Sequence, residues 1–149
     1  MNKEERNSFG YLLSTCNNQL IKLLNRELAA AKLELTREQY IVLNNLWTKD
    51  SVSQQSIANT LGKDKYSITK LIDGLEKRKL VKRVASPNDK RVKLIEVMTK
   101  GIEIRPMVIR VVEATIHKAT QEIPEQDLEL TKATLRKIIM NVSSFHEFN

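Results

Sequence analysis

Lys65, Tyr66, Ser67, Thr69 and Lys70 share the outward face of one short helical stretch. They offer two ammonium groups, hydroxyls and an aromatic ring. Ammonium groups pair with phosphates, while hydroxyls and rings suit base edges and sugars in a groove, so the set reads as nucleic-acid chemistry. A second set, Asn88, Asp89, Lys90 and Arg91, falls in the turn-forming run SPNDKR. Catalytic chemistry is poorly supplied by comparison. There is no nucleophile elbow, no glycine-rich phosphate loop and no dense Asp/Glu/His cluster. His117 and His146 are far apart, and a zinc site needs three or four convergent ligands. The sequence therefore predicts neither enzyme, metal nor cofactor.

Residues 53–80 must position the first set. Ser53 is a suitable N-cap for a helix whose Ile57, Ala58 and Leu61 form one apolar side. Gly62 suits the left-handed residue that ends it. Asp64 caps a second helix, in which Ile68, Leu71, Ile72 and Leu75 recur at i, i+3, i+4 and i+7. Small Ala58 allows close approach, so the pair reads as a helix-turn-helix. Beyond Leu80, Val81–Val84 and residues 93–97 are β-prone runs flanking the charged turn, which predicts a hairpin, or wing.

Charge agrees with this location. Between Gly62 and Lys93 there are eleven Lys or Arg against four acids, while the remaining 14 bases and 14 acids cancel, so the net +7 resides on this segment. A basic segment on a neutral body is the footprint of phosphate-backbone binding.

The rest of the chain reads as helix. A helix over about 4–31 carries the stripe Phe9, Leu12, Leu13, Cys16, Leu20, Leu23, Leu24 and Leu28. Thr36 and Gln39 match a capping box for a helix over 37–48 with Tyr40, Leu43, Leu46 and Trp47 on its core face. KDSVS reads as a short connection. Thr99 is placed to cap a helix to about residue 119, bent by Pro106. Pro124 opens a last helix to about Ser144, with Leu128, Leu135, Ile138, Ile139 and Val142 inward. No apolar run approaches the ~20 residues that cross a bilayer, and neither the N-terminus nor the lone cysteine points to export, which predicts a cytoplasmic protein without a membrane partner.

The fold class expected is mainly α with a small β-hairpin wing: a winged helix-turn-helix lobe plus a helical dimerisation domain. Boundaries are expected at 1–35 for an N-terminal dimerisation helix, 36–98 for the DNA-binding lobe and 99–149 for C-terminal dimerisation helices.

The runs LTREQYIVLNNLW, SIANTLGKDKYSITKLIDGLEKRKLVKR and SPNDKRVKLIEVMTKGIEI, the last with Asp89-x-Arg91 and Thr99-x-Gly101, resemble the MarR family of winged-helix transcription factors. Lys79 departs from the glycine usual in that family before the wing strand. The resemblance implies a homodimer, formed by the first and last two helices, that places two recognition helices on palindromic double-stranded DNA. It also implies that Arg91 enters the minor groove, oriented by Asp89, with Asn88 and Lys90 on the backbone. A small-molecule effector acting on a repressor is implied as well. Two alternatives stay open. Cys16 could serve a thiol- or peroxide-sensing repressor, although its stripe position suits a buried, inert thiol. The chain could instead be a helical protein–protein interaction dimer. RNA reading is disfavoured, because only Tyr66 stands out as a stacking aromatic in the basic segment.

Overall fold

The computed structural model describes residues 1–146. Contacts group them into two compact units, one spanning Met1–Thr115 and a second beginning at Ile116.

In the first unit, a 3-10 turn at Glu5–Asn7 precedes α1, Phe9–Ala30. Extended Ser8 separates the two and its hydroxyl accepts from Tyr11 N, so the helix begins at Phe9, the first residue of the apolar stripe, and not near residue 4 as expected. Only Leu24 and Leu28 of α1 are buried; Phe9, Leu12, Leu13 and Cys16 are exposed. The buried position expected for Cys16 is thus not found: the residue is exposed on α1. Helix α2, Arg37–Thr48, begins at the Thr36–Gln39 capping box as expected. Its core residues are Val42, Leu43 and Leu46, with Tyr40 and Trp47 only half-buried at its margins.

KDSVS is more than a connection. Its Val52–Ser53 forms β1, which pairs antiparallel with β3, Lys93–Val97, through Val52↔Ile95 and Ser53↔Leu94. β3 pairs on its other side with β2, Val81–Ala85, from Val81↔Val97 to Ala85↔Lys93. The sheet order is therefore β1-β3-β2. Between β1 and β2 run α3, Gln54–Leu61, and α4, Lys65–Lys77. Ile57, Ala58, Ile68, Ile72, Leu75, Leu80, Val81 and Ile95 join the buried residues of α2, Leu28 and Val108 in one core. The apolar sides of both short helices, one face of the sheet and α2 are thereby covered together.

Lys79 lies between α4 and β2 with φ of 59°, in the left-handed region. A side chain there costs about 1 kcal/mol relative to glycine, partly offset by glycine's greater freedom when unfolded. Lys79→Gly is expected to raise stability by about 0.5 kcal/mol. Urea denaturation at matched protein concentration checks this, and an unchanged or lowered midpoint would contradict it.

The helix expected over 99–119 is two helices, α5 (Thr99–Glu103) and α6 (Arg105–Ala119), broken at Ile104. Pro106 has no N–H to offer the carbonyl four residues before it, so the ladder breaks instead of bending. Thr99 is not the cap. Met98 holds that position without a side-chain bond, and Thr99 is already helical.

The second unit contains the end of α6 and α7, Glu125–His146. Pro124 stands just ahead of α7 rather than in its first turn, its carbonyl accepting from Asp127 and Leu128 N. Glu125 and Asp127 lie in the first turn, favourable at the positive end of the helix dipole. No described residue from Ile116 onward is buried. The residues expected to point inward are half-buried (Leu128, Leu135, Ile138) or exposed (Ile139, Val142), because this unit supplies no further element to cover them.

Candidate nucleic-acid interface

The turn between α3 and α4 follows from local chemistry. Ser53 Oγ accepts from Ser56 N at 3.1 Å and starts α3. Gly62, at φ 61° and ψ 34°, ends it in the left-handed conformation, and Lys63 N returns to Ala58 O at 3.0 Å. Lys63, directly after that glycine, pairs its Nζ with Glu38 Oε2 at 2.6 Å. Partial burial opposes the charge on Glu38, but bonds from Lys63 and Arg37 outweigh it and hold the carboxyl below its ordinary pKa.

Asp64 caps α4, accepting from Ser67 N at 2.8 Å and from the Ser67 hydroxyl at 2.7 Å. These bonds draw its pKa down, so the cap is anionic at neutral pH. The Thr69 hydroxyl donates to Lys65 O at 2.9 Å and accepts from the Gln54 side-chain amide. Ser67 and Thr69 are therefore engaged within the protein, while Lys65, Tyr66 and Lys70 are exposed on the same helix. Tyr66 keeps 71% of its surface open, with Lys70 Nζ 5.3 Å from its ring centroid.

Asp89 organises the wing tip. Its carboxylate accepts from Arg91 N at 3.0 Å and from Arg91 Nε at 3.2 Å, and its carbonyl accepts from Val92 N at 2.9 Å. Ser86 N closes the loop onto Val92 O, also at 2.9 Å. The Arg91 side chain nevertheless stays 92% exposed. Asn88 and Lys90 are exposed beside it.

An open cleft of about 400 Å³ joins these parts, lined by Ser53, Gln54, Gln55, Lys65, Arg91, Val92 and Lys93. It brings Lys65 and Arg91 from the two expected sets together, and leaves Asn88 and Lys90 outside on the wing. Sequence reading missed Gln54 and Gln55, which open α3, and Lys93, which begins β3; the first two carry no charge to draw notice. It also missed Arg83 on β2, which pairs with Asp73 at 2.7 Å and Glu76 at 2.9 Å on α4. Lys82 faces Glu96 across the hairpin at 3.4 Å, which offsets part of its charge. Among the described residues no group of three or more His, Cys, Asp or Glu could hold a metal ion. His117 is exposed, and the His146 side chain lies outside the described residues.

The family model described as MarR family matches residues 35–93, the segment from the capping box to β3. A MarR-family transcriptional regulator from Rhodococcus sp. RHA1, solved by crystallography, is 30% identical, with a TM-score of 0.77 over 87% of this chain and 91% of its own. The chain belongs to the MarR family. It is a winged-helix, DNA-binding transcriptional regulator. The regulator MhqR of Bacillus subtilis is 29% identical over 112 residues, 75% of this chain and 77% of its own. CouR from Rhodococcus jostii RHA1, solved with p-coumaroyl-CoA bound, is 28% identical, with a TM-score of 0.78 over 92% of this chain and 95% of its own.

Proposed function

We propose that this MarR-family regulator is a cytoplasmic homodimeric repressor that reads a palindromic operator. The observation that carries the reading is the cleft between α3, α4 and the wing, where Lys65, Arg91 and Lys93 converge around the exposed side of the recognition helix. Lys65, Tyr66 and Lys70 meet base edges and nearby phosphates in the major groove, with Ser67 and Thr69 shaping the same face. Arg91, steered by Asp89, enters the adjacent minor groove, and Asn88 and Lys90 touch backbone. Two-fold symmetry then sets the half-sites about one helical turn apart.

Exposed apolar surface supports the dimer. Phe9, Leu12 and Leu13 on α1 and Leu130, Ile139, Val142 and Phe145 on α7 stay open in the single chain. Large open apolar faces mark association surfaces. In this reading residues 1–35 and 99–149 carry dimerisation and residues 36–98 bind DNA. Repression works by occluding a promoter. Release follows when a small molecule alters the spacing of the recognition helices, a step supported by the ligand in the CouR structure.

The test is sedimentation with and without a duplex, combined with affinity measured across salt concentrations. A dimer in both states, and a log–log salt slope of about −5 to −7, is expected from phosphate pairing by Lys65, Lys70, Lys90 and Lys93 in both subunits. A monomer, or a slope near zero, would reject the proposal.

A further inference from the structure

We infer that Arg83 is a positioning residue that locks the recognition helix to the wing, so that major-groove and minor-groove elements read DNA as one unit. The inference rests on the DNA-reading face proposed above and deepens it.

Arg83 sits in the middle of β2, opposite Ile95, with its side chain only 21% exposed. Its guanidinium reaches α4 at three places: Asp73 Oδ1 at 2.7 Å, Glu76 Oε1 at 2.9 Å and the Thr69 carbonyl at 3.5 Å. Its backbone N–H donates to the other Glu76 oxygen at 2.9 Å. Glu76 thus grips strand and side chain together, a two-point contact that fixes angle as well as distance. The chain of bonds continues through Thr69, whose hydroxyl accepts from the Gln54 amide on α3. Strand, recognition helix and the preceding helix are linked in series at polar side chains, separately from the apolar core.

The placement explains why the charge of Arg83 serves position and not phosphate. Its donors face carboxylates and a carbonyl, whereas among the described residues no carboxylate forms an ion pair with Lys65 or Lys70 on α4. Asp73 and Glu76 lie toward the C-terminal half of α4, beyond the base-reading residues, so the grip leaves the reading face open. Without that grip, a displacement of α4 along the sheet by a fraction of an ångström suffices to misalign it with the wing. A misalignment of that size between helix and wing lowers the contacts that need both elements at once, while contacts made by either alone survive.

Variants Arg83→Met, Arg83→Lys and Asp73→Asn separate positioning from its rivals. Affinity is measured for the duplex that wild type selects from a random pool and for a random duplex of equal length, with melting followed in parallel. Positioning predicts that Arg83→Met weakens the selected duplex at least about tenfold, leaves random-duplex affinity and the salt slope at wild-type values, and loosens sequence preference at the minor-groove positions. Asp73→Asn, on a carboxylate 58% exposed and tolerant of substitution, shows the same pattern more weakly even if Arg83→Met fails to fold. Arg83→Lys restores part of the loss.

Equal losses on both duplexes with a flatter salt slope would make Arg83 a phosphate contact and overturn the inference. Equal losses that track melting would make it structural only, with the same consequence. Variants that keep wild-type preference overturn it alone; a wild type with no sequence preference overturns the DNA-reading proposal and this inference with it.

Discussion

Arg91→Ala is expected to lower affinity for the selected operator by roughly thirtyfold to a thousandfold, with the dimer and its melting temperature unchanged. Arg91 projects from the wing at 92% exposure, and its contact inside the protein is the exposed pair with Asp89 at 3.2 Å. An exposed pair of that kind contributes little to stability. Losing a base-edge or minor-groove contact costs about 1–2 kcal/mol in each half-site, and a symmetric dimer loses two. Asp89→Ala should lower affinity in the same direction but less, because the guanidinium remains and only its aim is lost. Electrophoretic mobility shift and calorimetric melting on the same preparations measure both sides. Wild-type affinity for Arg91→Ala would remove the wing from the interface.

Gly101→Ala is expected to do the opposite: large destabilisation with the reading face intact. A Cβ at Gly101 would sit 2.3 Å from the Leu80 carbonyl oxygen and 2.8 Å from Val97 Cγ1. The Leu80 carbonyl already accepts from Met98 N at 2.9 Å, and the Gly101 carbonyl accepts from Trp47 Nε1 at 3.1 Å. The methyl group therefore forces α5 away from the sheet and strains both bonds. A clash with backbone in a packed site costs about 3 kcal/mol, or roughly 6–12 °C in melting temperature for a chain of this size. Below its melting range the variant should still bind operator. A melting temperature within 2 °C or so of wild type would show that α5 moves freely, contrary to the packing described.

Local rules made much of this molecule readable. The capping box at Thr36, the caps at Ser53 and Asp64, and left-handed Gly62 all involve residues within four positions of one another. Chain order alone is enough to find such features. The same holds for Asp89 and Arg91, two apart at the wing tip. What escaped was non-local or context-dependent. Val52–Ser53 is too short to show a two-residue period, and its strand exists only because β3 offers an open edge. Arg83 looked like one more basic residue until folding set Asp73 and Glu76 beside it. Thr69 looked free to meet DNA, whereas Gln54 and the Lys65 carbonyl engage its hydroxyl. The stripes on α1 and α7 were legible as apolar faces, but periodicity does not say whether the covering surface belongs to the same chain.

Selection from a random-sequence duplex pool at two salt concentrations tests the central claim most directly. The account predicts enrichment of a palindrome with half-sites about one turn apart, bound by one dimer, with affinity falling steeply as salt rises. Salt-sensitive binding with no enriched sequence, or no binding at all, would contradict it.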